Sequence, residues 1–466
     1  SLSAYDASGA AIVGPSAFQS PVTLAIQGDT AAAFSLEAGS GGGESLQIDK
    51  PTSAIALVYD GNDAAQSVTV QATVAGGAGA PSVSRSFTLV GKPPPPEAGP
   101  IYALNAGTNG GKGATVTVYG AQAQGDAAPV RTLRLSSKLY AQTIAVDAHG
   151  LLYVGFFDSA LGFNAASGTP DAGNVVEVFA ANAAGNDAPI ETLTADAATG
   201  TTVFPSSIAF DPSGDVVTYG ATNSNGIDGG AVLVYASESG AVAPAHAWNF
   251  ATPVVGYPGP AGLALDGAGN FYVNGKLRAG FAIQPGVYVA SAADRDNPTA
   301  NAARTIPWDA TTRLTFGGTA DAVDSSGAIF VSTTNETAGS GSQTACQAQI
   351  NVYASGAAGG TTDVPPVRTI AIGGLSTTNP RCSTAGDPLA ALFPAFVVYG
   401  TSLYVASDFT NTIAVLPADA AGNVEPARTI SGSSTHLNVP IAVAVGPATP
   451  AAARAFFQPT SERKRP

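Results

Sequence analysis

A four-part repeat constrains this chain more than any other feature of its sequence. The first part is an apolar alternation that ends in Ala-x-Asp-x-x-Gly. Its aspartates are Asp147, Asp211, Asp266 and Asp324. A short aromatic strand (residues 152–154 in the first complete copy), an alternating strand and the phrase Pro-x-Arg-Thr follow in that order. Two-residue periodicity gives each strand one face for a core, and Asp-x-x-Gly suits a tight hairpin turn. A unit of four short strands is one blade of a β-propeller.

The spacing of the units predicts six blades. The third part of the repeat is centred on Val118, Val178, Val234, Val289, Val352 and Val415. Residues 101–105 form a second-part strand that lacks its first part, and residues 441–445 form a first-part strand that lacks its second. Pairing these two strands completes a sixth blade from both ends of the repeat region and removes open sheet edges. We therefore predict a six-bladed propeller over residues 101–446.

A different pattern precedes the repeats. Short alternating segments with Gly-rich turns between them fill residues 1–91, which is typical of an immunoglobulin-like β-sandwich. Four consecutive prolines lie in residues 92–100, which we expect to be a stiff linker. Residues 447–466 are predicted to be a C-terminal tail. The predicted fold class is all-β, a six-bladed β-propeller preceded by a small Ig-like β-sandwich.

Composition and charge exclude some classes of partner. Only 11% of the residues are charged and the formal net charge is −14, so the basic stripe that nucleic-acid binding requires is absent. No apolar run approaches the roughly 20 residues needed to cross a bilayer. The sequence contains no Met, which is expected of a processed product whose upstream residues have been removed or are not included.

The two cysteines, Cys346 and Cys382, fall inside the same repeat. In a chain with an otherwise Cys-free, extracellular type of composition, we expect a disulfide that ties down an inserted loop. Two free thiols or a metal-binding pair are the alternatives, and no further soft ligand lies nearby in sequence to complete a zinc site.

Several phrases resemble a known family. "VTVYGAQAQGDAAPVRTL" and "IAVDAHGLLYVGF" are similar to the NHL-type repeats of secreted bacterial β-propeller proteins, and the resemblance covers residues 101–446. The segment "AYDASGAAIVG" is similar to the bacterial Ig-like domains that precede such propellers. The resemblance implies a propeller and a secreted, extracellular or cell-surface location. It implies no reaction, because the fold hosts many unrelated functions.

Polar residues that follow the aromatic strands are the candidate binding site, because propellers gather these loops at one mouth of the channel. They are Asn105, Asp158, Asn223, Asn225, Asn274, Asn335 and Asp408. Their oxygen atoms can bind calcium or a sugar, and ordinary loop polarity is the alternative. The histidines His149, His246 and His436 occupy different parts of their repeats, so no shared catalytic or metal centre is predicted.

Three functions remain open at this stage. The first is a non-enzymatic extracellular or cell-surface protein that uses the propeller as a rigid module to bind protein or carbohydrate, or as a spacer. The second is a structural subunit of a filament or surface layer that binds copies of itself through terminal strands. The third is a hydrolase or lyase with a site at the channel mouth, which would need clustered carboxylates with shifted pKa values.

Overall fold

The structure is a computed structural model, and it describes a defined part of the 466-residue chain. The described residues are 4–5, 11–12, 22–27, 33–36, 45–48, 57–60, 66–74, 82–89, 98–106, 113–135, 139–157, 174–194, 201–224, 227–236, 246–249, 262–279, 282–290, 304–307, 321–337, 345–354, 364–372, 377–378, 395–408 and 410–448. Among them, the only helical element is a 3₁₀ turn at Ser433–Thr435, and everything else that is regular is β-strand. No helix among these residues is long and apolar enough to cross a membrane.

The chain divides into two compact units, residues 1–95 and residues 96–466. The strands of the first unit are β1 (Ala4–Tyr5), β2 (Ala11–Ile12), β3 (Val22–Gln27), β4 (Ala33–Leu36), β5 (Ser45–Ile48), β6 (Leu57–Asp60), β7 (Gln66–Val74) and β8 (Ser82–Leu89). Strands β5, β3, β7 and β8 form one antiparallel sheet in that order, β4 pairs with β6, and β1 pairs with β2. The sequence analysis predicted short alternating strands in residues 1–91, and the strands from β3 to β8 lie within that range.

The second unit begins with strands from three repeats. They are β9 (Ala98–Asn105), β10 (Thr115–Tyr119), β11 (Arg131–Arg134), β12 (Tyr140–Val146), β13 (Leu152–Phe157), β14 (Val175–Phe179), β15 (Glu191–Leu193), β16 (Thr201–Phe210), β17 (Val216–Ser224), β18 (Ile227–Tyr235) and β19 (His246–Asn249). The rest of the unit contains β20 (Gly262–Leu265), β21 (Phe271–Ala279), β22 (Ala282–Ala290), β23 (Arg304–Pro307), β24 (Asp321–Val323), β25 (Ile329–Thr337), β26 (Ala345–Tyr353), β27 (Arg368–Ile372), β28 (Thr377–Thr378), β29 (Ala395–Tyr399), β30 (Ser402–Ser407), β31 (Thr412–Pro417), β32 (Gly422–Val424), β33 (Arg428–Ile430) and β34 (Pro440–Pro447).

Among the described residues, these strands form a propeller arrangement of mainly antiparallel sheets, five with four strands and one, which begins with β24, with six. Several sheets take their strands in chain order, as in β12-β13-β14-β15, β16-β17-β18-β19 and β20-β21-β22-β23. The first strands of successive sheets contact one another in a ring that runs β34, β12, β16, β20, β24, β29 and back to β34. Each apolar layer is shared by two consecutive sheets, so the core is divided among the spaces between sheets.

The predicted pairing of the two end strands is confirmed. Strand β34 lies antiparallel to β9, with Val443 opposite Ala103 and Val445 opposite Ile101, and the complete sheet is β34-β9-β10-β11. We call this the closing sheet, β12–β15 the adjacent sheet, and β29, β30, β31 and β33 the last sheet. Ala444 and Val445 of β34 are buried on opposite faces of the closing sheet, in the apolar layers that it shares with the adjacent sheet and with the last sheet respectively.

Hairpin turns built on Asp-x-x-Gly are confirmed in four sheets. The Oδ1 atom of each aspartate accepts two backbone N–H groups, as Asp147 does from His149 at 2.9 Å and from Leu151 at 2.8 Å. The same pattern recurs at Asp211, Asp266 and Asp324. The glycine that ends each turn has a positive φ, 79° at Gly150, a conformation that glycine adopts without a steric penalty. These aspartates therefore hold hairpins together.

The outer edges of three sheets are partly covered by a loop of the next sheet. The fourth strand β11 pairs in parallel with Gly185 of the adjacent sheet, through Leu133. The fourth strand β33 pairs in the same way with Gly125 of the closing sheet, and β27 pairs in parallel with β32. Gly125, Gly185 and Gly422 have φ of 62°, 62° and 74°. We call these parallel contacts clasps, and they leave less of each fourth strand open to pair with another chain.

Candidate functional site

The predicted mouth residues all belong to, or directly follow, second strands of their sheets. Asn105 ends β9, and Asp408 directly follows β30. Asn223, Asn274 and Asn335 lie within β17, β21 and β25, and their side chains are outside the described part of the structure. Asp158 and Asn225 lie outside the described residues altogether. Ligand binding by this group of residues therefore stays a prediction.

Asn105 is buried and its amide is used within the protein. Its Nδ2 atom donates to Thr117 Oγ1 at 3.1 Å and to Thr115 Oγ1 at 3.3 Å. Its Oδ1 atom accepts the backbone N–H of Asn438 at 2.9 Å. A buried amide satisfied in this way fixes the strands around it. Asn105 thus connects β9 and β10 to the loop that leads into β34.

Described residues of three segments meet at the end of β9, and we call them the closure loops: residues 105–106, residues 407–408 with 410–412, and residues 432–440. Val439 donates its N–H to Asn411 Oδ1 at 2.6 Å, and its carbonyl oxygen accepts the N–H of Ala106 at 3.1 Å. Asn411, His436 and Val439 have φ of 50°, 57° and 54°, and among the described residues they are the only positions other than glycine with a positive φ. Such conformations cost free energy, most of all for a β-branched residue, and they concentrate at functional sites.

Further contacts fix the closure loops to the closing sheet. Asp126 accepts the N–H of Ser434 at 2.6 Å and its hydroxyl group at 2.9 Å. Tyr119 donates to the carbonyl oxygen of Thr435 at 2.6 Å, and burial raises the pKa of its phenol to about 12. The tyrosine therefore remains a hydrogen-bond donor at neutral pH. The closure loops carry exposed polar side chains, which include those of His436 and Asn438.

Arginines of the Pro-x-Arg-Thr phrase hold neighbouring sheets together. Arg428 Nη2 and Nη1 donate to the carbonyl oxygens of Ala121 and Ala123, each at 2.7 Å. Arg368 Nη2 donates to the carbonyl oxygen of Ala418 at 2.8 Å. Guanidinium groups suit this task because they present several donors in a fixed plane. The sequence analysis did not predict this role, although the repeated Ala-x-Ala-x-Gly at 121–125 and 418–422 was a usable signal.

Two arginines of this phrase, Arg131 and Arg368, also lie over aromatic rings of second strands. The guanidinium carbon of Arg131 is 5.6 Å from the centre of the Tyr102 ring, and Arg131 Nη2 donates to the Tyr102 hydroxyl oxygen at 2.9 Å. Arg368 lies 5.5 Å from the centre of the Phe330 ring. In the adjacent sheet Glu191 takes the place of the arginine, and burial raises the pKa of its carboxyl group. These side chains serve the packing between sheets.

The three histidines lie apart in the fold. His149 is in the Asp147 turn, His246 is in the fourth strand β19, and His436 ends the 3₁₀ turn in the closure loops. Within the described residues, no group of three or more His, Cys, Asp or Glu side chains is arranged to hold a metal ion. Cys346 lies in β26, where its backbone pairs with Thr377 of β28, and Cys382 lies outside the described residues. The disulfide therefore stays a prediction.

No protein-family model and no curated protein matches this chain. Solved structures are similar at low identity. A protein of unknown function from Bacteroides caccae is 9% identical, with a TM-score of 0.43, over 75% of this chain and 98% of that one. A structure of a nidogen/laminin complex is 12% identical, with a TM-score of 0.38 and the same coverages. A quinonprotein alcohol dehydrogenase-like protein from Bacteroides thetaiotaomicron is 10% identical, with a TM-score of 0.29, over 73% and 88%. Likeness at this level says nothing about function.

Proposed function

We propose that this chain is a non-enzymatic extracellular or cell-surface protein whose propeller is a rigid binding or spacing module. The observation that carries the proposal is the use made of polar groups at the end of β9. Asn105, Asn411 and Asp126 bind backbone groups of the closure loops and so lock the ring. Arg368 and Arg428 lock neighbouring sheets in the same way. A ring whose sheets and closure loops are fixed by these hydrogen bonds presents its loops in one geometry, which suits recognition or spacing.

The architecture we propose for this role is a six-bladed NHL-like propeller behind an Ig-like domain. Support for six blades comes from the ring of first strands, β34, β12, β16, β20, β24 and β29, each of which starts a sheet. Support for the Ig-like assignment comes from the antiparallel sheet β5-β3-β7-β8 together with the β4-β6 pair. Averaged electron-microscopy images viewed along the propeller axis test the count directly. Five or seven lobes would reject it.

The functional proposal is tested on the full-length chain by two measurements made together. Light scattering gives the mass in solution, and a panel of ester, lactone and glycoside substrates tests for turnover. We expect a discrete monomer and no turnover above that of heat-denatured protein. Turnover that Asn411→Ala and Asp408→Asn both abolish would overturn the proposal in favour of a hydrolase or lyase at the channel mouth. Large ordered particles would overturn it in favour of an assembly subunit.

Binding itself is tested with an array of bacterial cell-surface polysaccharides, probed with and without calcium. The variant Asn438→Ala is the informative one, because the side chain of Asn438 is exposed on the closure loops and only its backbone N–H is bonded to Asn105. We expect saturable binding that Asn438→Ala weakens. Binding of equal strength in wild type and variant would place the recognition surface elsewhere.

A further inference from the structure

Glu177 occupies an unusual position in the middle of β14. Its backbone pairs with Val154 of β13 and Thr192 of β15. Directly opposed residues share a face of the sheet, and so do residues two positions apart. Glu177 therefore lies on the same face as Val154 and Phe179, which belong to the apolar layer between the closing sheet and the adjacent sheet. In this layer, residues of β34 and β9 pack against residues of β12 and β13, so it lies beside the sheet that joins the two ends of the propeller region.

The carboxyl group of Glu177 has an unsatisfied oxygen in this layer. Its Oε2 atom is shielded from solvent and has no hydrogen-bond partner. The corresponding third-strand positions in other repeats carry no charge. Thr117 accepts a hydrogen bond from Tyr119, Asn351 binds Gln349 and Thr369, and Leu233 and Ala414 are apolar. Glu177 is half-buried, and its shielded oxygen gains no compensating hydrogen bond, so the ionised form of its carboxyl group is disfavoured here.

Among the described residues, the charged and titratable groups near this layer do not compensate Glu177. On the described part of the closing sheet, Arg131 and Tyr102 face this layer. The guanidinium of Arg131 donates to the phenol of Tyr102 at 2.9 Å. On the loop that clasps β11, Asp187 is exposed and accepts the N–H of Ala184. Glu191 pairs with Val178 and so lies on the opposite face of the adjacent sheet. Burial raises the pKa of the Glu177 carboxyl group, and no charge on the described part of the chain opposes that effect.

We propose that Glu177 is a pH-sensitive element of the ring, whose protonation tightens the contact between the closing sheet and the adjacent sheet. The neutral acid fits the apolar layer, whereas the carboxylate strains it. Because the pKa is raised in the folded state, the folded protein holds this proton more firmly than the unfolded chain does. The stabilising contribution is fully present below the unfolded pKa and is lost as the pH rises through the folded one. Acidic surroundings therefore favour a tight contact between the closing sheet and the adjacent sheet.

Hydrogen exchange measured by mass spectrometry on the full-length chain tests this locally. The readout is the protection factor, corrected for intrinsic exchange, of peptides covering β11 and β14. In wild type we expect protection to rise by a factor of about three or more between about pH 8 and about pH 4, which lies below the ordinary pKa of an unfolded glutamate. In Glu177→Gln, which keeps the shape and removes the charge, we expect high protection at both pH values. Exposed Glu425 provides the matched control, and Glu425→Gln should follow wild type.

Two outcomes would overturn the proposal. One is a Glu177→Gln protein that keeps the wild-type pH dependence in β11 and β14. The other is a wild type whose protection in these strands does not change with pH. Should the amide disturb packing, Glu177→Leu is a second variant, because leucine already occupies the corresponding position at Leu233. It should likewise show pH-independent protection.

Discussion

Arg428 Nη1 donates a hydrogen bond to the carbonyl oxygen of Ala123 at 2.7 Å, across 305 positions of the sequence. Its Nη2 atom donates to Ala121 at the same distance, so one side chain joins the last sheet to the closing sheet. Arg368 contacts Ala418 in the same way one sheet earlier. Because Ala418 stands in its repeat where Ala121 stands in the first, the arginine of Pro-x-Arg-Thr has a repeated structural role. It holds the loop of the following sheet.

We expect Arg428→Lys to destabilise the second unit by about 1 to 2 kcal/mol, because an ammonium group cannot reach both carbonyl oxygens in one plane. The free energy of unfolding is measured by chemical denaturation, followed by tryptophan fluorescence. Both tryptophans, Trp248 and Trp308, belong to the second unit, so the signal reports that unit alone. Arg134 is exposed, and Arg134→Lys should change stability by no more than about 0.5 kcal/mol. Equal effects of the two substitutions would contradict a role for Arg428 in joining the last sheet to the closing sheet.

The clasp between the closing sheet and the adjacent sheet depends on a glycine. Gly185 donates its N–H to Thr132 at 2.8 Å and accepts the N–H of Arg134 at 2.7 Å, with φ of 62°. A Cβ atom at this position would meet nothing within 4 Å, so only the backbone conformation opposes a side chain. We expect Gly185→Ala to cost about 1 kcal/mol. Gly120 also has free space around it and no positive φ, and Gly120→Ala should be neutral or stabilising by the same denaturation assay.

Local turn chemistry was readable from the sequence, and contacts between distant repeats were not. Asp147 and Gly150 satisfy a hairpin turn within four residues, so their pattern alone predicted it. The pairing of β34 with β9 was also predictable, because each strand lacked its own partner in the repeat. The hydrogen bond between Tyr119 and Thr435 joins segments 316 positions apart, and neither residue carries a local pattern that marks it.

The candidate site shows the same division. Position after a second strand predicted that Asn105 would lie near the mouth, but its burial and its bond to Asn438 depend on the path of the closure loops. The positive φ of Val439 had no signal in the sequence, because β-branched residues disfavour that conformation. The cost of such a conformation is imposed by tertiary contacts, and periodicity and turn residues carry no information about those contacts.

We expect Cys346 and Cys382 to form a disulfide in protein prepared under oxidising conditions. The backbone of Cys346 pairs with Thr377, and Cys382 follows only a few residues after β28. Intact mass spectrometry without reduction should give a mass lower by two hydrogens than the reduced protein, and peptide mapping should find the two cysteines linked. Two alkylated thiols in the unreduced protein would contradict the disulfide.

Asn105 should matter for stability more than for surface recognition. In Asn105→Ala the N–H of Asn438 and the hydroxyl groups of Thr115 and Thr117 lose a buried partner. We expect a loss of about 1 to 3 kcal/mol in the free energy of unfolding. Asn438→Ala keeps the same backbone hydrogen bond and removes only an exposed amide, so its stability should remain close to that of wild type. A destabilisation in Asn438→Ala as large as that in Asn105→Ala would show that the side chain of Asn438 contributes.

Val439 tests whether the closure loops store strain. Its φ of 54° is unfavourable for a β-branched side chain by about 1 to 2 kcal/mol, and glycine adopts this conformation freely. Val439→Gly should therefore stabilise the second unit by about 0.5 to 1 kcal/mol, after the greater freedom of glycine in the unfolded chain is subtracted. Val130 is the matched control, because it is also exposed (71%, against 37% for Val439) and has no positive φ. Val130→Gly should lose about 0.5 to 1 kcal/mol for the same unfolded-state reason. If the free energy of unfolding rises in Val439→Gly and falls in Val130→Gly, the strain lies at Val439. A fall in both variants would show that Val439 stores no strain and that its hydrogen bonds to Asn411 and Ala106 hold the loop unstrained.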